Sequence, residues 1–121
     1  MNIEEYREYC LSFPGVTEEF PFDEKVLVFK VMGKIFSLTN IDLFKSVNLK
    51  CNPEWAEELR EEYIGIVPGF HMNKKHWNTV MMDGSIPAAK LKELIDHSYE
   101  LVVEKLPRKK MALLELEKQS S

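Results

Sequence analysis

Two β-rich runs joined by a short glycine turn constrain this chain more than any other feature. Val26-Leu27-Val28-Phe29-Lys30-Val31 is built from β-branched and aromatic residues, and Ile35-Phe36-Ser37-Leu38-Thr39 follows after a turn expected at Gly33-Lys34. Strands set so close pair as an antiparallel hairpin. Ser46 to Cys51 alternates apolar and polar residues and reads as a third strand. With period-2 alternation, Leu27, Phe29, Val31, Phe36, Leu38, Val47 and Leu49 are expected on the core face. Lys30, Ser37, Thr39, Ser46, Asn48 and Lys50 are expected on the opposite face, with Val26, Val28 and Ile35 among them. Ile64–Val67 and Trp77–Met82 read as two further strands.

Helical spacing appears in three places. Ile3, Tyr6 and Cys10 mark a first helix that Pro14-Gly15 stops. Asn52-Pro53 is an N-cap followed by a first-turn proline, with Trp55 and Leu59 sharing one face behind it. Leu91, Leu94, Ile95, Ser98, Leu101 and Val102 form the inner face of the longest helix, over 87–105, which Pro107 ends. The expected order is α-β-β-β-α-β-β-α: an α+β, two-layer sandwich with an antiparallel five-stranded sheet and helices on one face. The segment carrying Phe20, Pro21 and Phe22 reads as a loop that tucks its aromatics against the core. Residues 1–110 read as a single domain, and 111–121 as a C-terminal tail, partly helical or disordered.

Charge patterning adds to this. The net charge of −4 in 121 residues argues against indiscriminate nucleic-acid binding. Its distribution is uneven. Residues 1–24 carry −6, 25–51 carry +4, 52–63 carry −4, 64–82 carry +2, 83–104 carry −3 and 105–121 carry +3. Helical segments are therefore acidic and strand segments basic, which gives the open sheet face a mild basic bias. No apolar run approaches the ~20 residues of a membrane span. The acidic, amphipathic N-terminus is unlike a signal peptide, so a cytoplasmic location and no membrane partner are expected. Cys10 and Cys51 are expected as buried free thiols.

One stretch resists a purely structural reading. Pro68-Gly69-Phe70-His71-Met72-Asn73-Lys74-Lys75-His76-Trp77-Asn78 places two histidines, two lysines, two asparagines and a tryptophan behind a Pro-Gly turn signal. His71, Asn73, Lys74, Lys75, His76 and Asn78 can donate to phosphates or base edges, and Phe70 or Trp77 can stack on an unpaired base. Lys30, Lys50 and Arg108 extend the basic candidates, with Lys34, Lys45, Lys109 and Lys110 beside them. The same residues also suit a small anionic ligand, and the exposed apolar strand residues suit a protein partner. His71 or His76 can serve as a general base, but there is no phosphate loop, nucleophile elbow or carboxylate pair, so no catalytic residue is assigned. His71 and His76 lie five apart, off the spacing that puts two ligands on one helical turn. No metal site and no cofactor is expected.

The stretch from Pro68 to Val80, with Asp83-Gly84-Ser85-Ile86-Pro87 and the helix from Leu94 to Val102, resembles the MmcQ/YjbR family of small bacterial proteins. Phe20-Pro21-Phe22-Asp23 and Val28 to Lys34 match its early part, and Leu106-Pro107-Arg108-Lys109-Lys110 its end. The resemblance spans nearly the whole chain. It implies a secretion-chaperone-like or frataxin-like α+β fold, also described as a double-wing arrangement. It further implies a non-catalytic, DNA-binding module.

Overall fold

The computed structural model describes residues 1–120. In chain order the elements are α1 (Ile3–Leu11), β1 (Val16–Glu19), β2 (Val26–Val31), β3 (Lys34–Asn40), β4 (Ser46–Lys50), α2 (Pro53–Glu62), β5 (Ile66–Pro68), β6 (Trp77–Met81), α3 (Ala88–Glu104) and α4 (Arg108–Ser120). The strands form one sheet in the order β1-β2-β3-β4-β6-β5, and every neighbouring pair is antiparallel. The α+β class and the antiparallel sheet are as expected, but the sheet has six strands, not five. No helix among the described residues is long and apolar enough to cross a membrane.

The sixth strand is β1, inside the segment expected to be a loop. Val16 and Thr17 suit a strand, but the run is only four residues long and ends in Glu18-Glu19, which do not. It is held at the sheet edge by long-range partners: Arg7 of α1 pairs with Glu18 at 2.6 Å, and Lys30 of β2 reaches Glu19 at 3.3 Å. Phe20 and Phe22, expected against the core, are exposed instead. The residues after Pro107 form the fourth helix. Leu114 of α4 is fully buried beside Gly15, where an added Cβ would stand 2.7 Å from the leucine. Lys110 Nζ donates to the Met32 carbonyl at 2.9 Å. The 111–121 segment is thus helical through Ser120 and contributes to the core.

The β2–β3 turn falls one residue earlier than expected. Met32 (φ 49°) and Gly33 (φ 83°) both take the left-handed region, as a two-residue hairpin matched to strand twist requires. Beyond the turn, Lys30 pairs with Ile35 but Phe29 pairs with Ser37, so Phe36 is an extra residue on β3. This bulge reverses the side-chain alternation. Phe36, Ser37 and Thr39 are all buried, and Leu38, expected in the core, falls on the open face opposite Val28. Ser37 shares a 2.5 Å hydrogen bond with the Tyr6 hydroxyl of α1, and Thr39 donates to the Ser46 carbonyl. Both polar groups are therefore satisfied where they are buried.

Leu27, Phe29, Val31, Val47, Leu49, Val80 and Ile66 of the sheet join inward residues of all four helices in one core. Tyr6 meets Phe29 edge-on, and Phe36 meets Tyr99 edge-on. Cys10 and Cys51 are buried and free. Burial pushes the Cys10 thiol up to about 12 and the Cys51 thiol up to about 11.

Ser98 of α3 has a distinct task. β3 and β4 pair from Thr39–Val47 to Ser37–Leu49 and no further. At that point the Lys50 main-chain N–H donates to Ser98 Oγ (2.9 Å), and the Ser98 hydroxyl donates to the Phe36 carbonyl (2.6 Å). The hydroxyl stands in for a missing strand-to-strand bond, and the strands part beyond it. Ser98→Ala would leave two main-chain groups unpaired in the interior. The expected cost is ~1–3 kcal/mol in urea denaturation, with no change of fold by circular dichroism.

One residue earlier in α3, His97 Nε2 accepts the Asn52 main-chain N–H at 3.1 Å, at the start of α2. Burial lowers the His97 pKa from 6.5, against the opposing pull of Glu100, Glu104 and Glu93. The unfolded chain then binds the proton more readily than the folded one. Stability is full above about pH 6.5 and falls as pH drops from there towards the lowered folded value. His97→Gln should remove this part of the pH dependence of the urea midpoint.

Candidate functional site

The Pro68–Asn78 stretch spans the connection between β5 and β6, and internal hydrogen bonds hold much of its main chain although His71, Asn73, Lys74 and Lys75 are exposed. Gly69 N–H donates to the Trp77 carbonyl (2.8 Å), and the Trp77 and His76 N–H groups return to the Asn73 carbonyl. Asn73 Oδ1 caps the Lys75 N–H (2.9 Å), and Lys74 Nζ reaches the Gly69 carbonyl (3.1 Å). The His76 carbonyl accepts from Cys51 N–H. Gly69 is needed here: a Cβ would lie 2.8 Å from the Trp77 Cβ and 3.0 Å from its carbonyl.

Arg60 of α2 clamps the loop. Its Nε donates to Asn78 Oδ1 (2.7 Å), and a terminal nitrogen reaches the Lys74 and Trp77 carbonyls. Asn78, expected as a surface donor, is buried on the core side opposite Leu49. Its Nδ2 has no hydrogen-bond partner among the described residues. It borders an interior void of about 10 Å³ that Cys51, Leu59 and Leu94 also line. One residue on, Thr79 points to the open face. Its hydroxyl accepts from the Phe70 N–H (2.8 Å) and donates to Asn48 Oδ1 (2.5 Å). The loop is thereby folded over the open side of the sheet, presenting Phe70 and, at φ 58°, His71 to solvent.

The expected site residues therefore do not form one cluster. Lys75 shares a groove with Glu54, Glu57 and Arg60 of the acidic helix α2. Lys30 is half-buried and paired with Glu19 on the far side of the sheet. Arg108 is exposed at the start of α4. Lys50, half-buried at the end of β4, enters a second concave site, one that no carboxylate among the described residues lines.

That site is a cleft of about 550 Å³ where β3 and β4 have parted. Gly33, Lys34, Ile35, Lys50, Trp77, Val102 and Lys105 line it. Lys34 and Ile35 come from the start of β3, Lys50 and its cross-strand partner Trp77 from the ends of β4 and β6, and Val102 and Lys105 from the last turn of α3. No carboxylate lines it. Burial lowers the Lys50 pKa below its usual value, and the Lys105 charge lowers it further. Cations crowded together without a counter-charge suit an anion. Lys105 escaped the sequence reading because it sits among helix-ending residues. Its signal was Pro107, which fixes the helix end and so the direction from which Lys105 approaches the sheet.

A family model for YjbR matches residues 11–101. The chain belongs to the YjbR family. Escherichia coli K12 YjbR is 37% identical over 115 residues, which is 94% of this chain and 98% of that one. Bacillus subtilis YyaQ is 32% identical over 75 residues, 62% of this chain and 63% of that one. Among solved structures, a Deinococcus radiodurans protein matches with a TM-score of 0.89 at 40% identity, over 94% of this chain and 88% of that chain. A Pseudomonas syringae protein matches with a TM-score of 0.72 at 28% identity, over 84% and 98%. The fold and the β5–β6 loop described above are thus those of a YjbR-family chain.

The clamp is testable. Arg60→Ala leaves Asn78 Oδ1 and two loop carbonyls without their charged donor, at a cost of ~1.5–3 kcal/mol. Urea denaturation should show that loss, and hydrogen exchange should quicken across residues 69–77 relative to β2 and β3.

Proposed function

We propose that this YjbR-family protein is a non-catalytic binding module that contacts nucleic acid through the Lys34–Lys50–Lys105 cleft. The observation that carries the reading is the composition of the cleft: three lysines and a tryptophan, with no carboxylate. Phosphates are the natural counter-charge for such lysines, and the indole offers a face to a base. The family resemblance points the same way. The net charge of −4 confines contact to this basic concavity and disfavours wrapping by a long polymer.

The rival is a small phosphorylated ligand, favoured by the concave shape of the site. Anisotropy titrations of a labelled 12-mer at two salt concentrations, alongside a mononucleotide competitor, separate the two. Lys50→Ala with Lys105→Ala should weaken oligonucleotide binding and make the salt slope shallower by about 1.4 for a single strand. Lys74→Ala with Lys75→Ala should do much less, since Lys74 is bonded to its own loop and Lys75 stands beside Glu54 and Glu57. A mononucleotide that binds as tightly as the 12-mer replaces the polymer reading with the small-ligand one. No saturable binding of either at low salt overturns both.

A further inference from the structure

Resting on that reading, we infer that the nucleic acid taken up is an unpaired strand, with phosphates at Lys50 and Lys105 and successive bases stacked on Trp77 and Phe70. Trp77 is cross-strand from Lys50 and lines the cleft with it. Gly69 is hydrogen-bonded to the Trp77 carbonyl, so Phe70 starts beside the tryptophan and leads away over the open face. Phe70 is 50% exposed. That exposure is not slack in the loop, because the Phe70 N–H is bonded to Thr79 Oγ1 at 2.8 Å and its carbonyl accepts from Asn48 Nδ2 at 3.5 Å. A large aromatic fixed by its main chain with half of its surface in water is pre-organised for a flat partner.

The surroundings disfavour a duplex. Its second strand would carry phosphates onto a molecule whose α2 segment, residues 52–63, holds five acids and one base. A duplex also keeps its bases stacked on one another and offers Trp77 and Phe70 nothing to cover. A single strand exposes a base face at every nucleotide, and its charge matches the short lysine cluster.

The test compares a 12-nucleotide oligothymidine, a hairpin duplex of equal charge, and an abasic 12-mer with the same phosphates and no bases. The oligothymidine should bind roughly tenfold or more tightly than either control. Phe70→Ala should lose roughly 5- to 150-fold on oligothymidine, the range for one base-to-aromatic contact, while abasic binding stays unchanged. Phe70→Tyr should restore the affinity. The loop's main-chain bonds do not involve the Phe70 ring, so the alanine variant should fold as the parent does, checked by its urea midpoint. Equal affinity for the three polymers, or no effect of Phe70→Ala on oligothymidine, overturns the stacking inference and leaves the lysine cleft standing. Loss of all three on Lys50→Ala with Lys105→Ala is expected. Absence of all three with the unaltered protein removes the inference and the nucleic-acid reading together.

Discussion

The Ser98 hydroxyl between Phe36 and Lys50 governs the geometry of this molecule. A sheet closes when each edge group finds its neighbour across the gap, and here one gap is bridged by a side chain from the covering helix. The bridge satisfies the groups that the bulge at Phe36 would otherwise orphan. It also ties α3 to the two strands it crosses, with Val102 one turn and Lys105 two turns further on lining the opening. The cleft follows from how the strands stop pairing.

The β5–β6 loop shows the opposite use of polar chemistry. Asn73, Lys74, Asn78 and the His76 main chain are held by internal hydrogen bonds, with Arg60 binding three of the loop's acceptors. A tight irregular loop packed on a sheet has many main-chain groups and no ladder to satisfy them, so side chains must do it. The density of polar residues in the stretch follows from that need. Phe70 stands out on its exposed side, with its main-chain N–H and carbonyl both bonded to the sheet. Rigidity here serves whatever meets Phe70, because a contact made by an already ordered ring costs less entropy than one made by a mobile loop.

The general architecture was legible because it depends on local signals. β-branched runs, the Gly33 turn, the Asn52-Pro53 helix start and the apolar stripe of α3 each declare themselves within a few residues. What was not legible depends on distant partners. β1 is a short run that pairs along β2, with Arg7 and Lys30 adding ion pairs to its glutamates. The inward turn of Ser37 and Thr39 depends on one extra residue at Phe36, which no alternation pattern in β3 alone reveals. The motif loop was visible as unusual, but that Asn78 turns inward and that its Oδ1 and two loop carbonyls are held depended on Arg60, in a different element. Lys50 was found from the basic bias of the strands, whereas Lys105 needed the register of α3 against the sheet.

The electrostatics of the cleft bear on why an acidic protein would keep such a site. Lys50 is partly buried and faces another lysine, and both effects lower its pKa. Folding therefore disfavours the charged ammonium relative to the unfolded chain, a strain present whenever Lys50 is protonated. A fully solvated surface lysine carries no such strain. An anion in the cleft reverses the sign. It turns mutual repulsion of the lysines into shared attraction, restores the Lys50 pKa, and stabilises the folded state through the difference in affinity for folded and unfolded chain. The same three lysines spread over the sheet would bind an anion more weakly and strain the fold less. Their concentration where the strands part gives an otherwise acidic surface one place where the proposed anion would meet three cations at once.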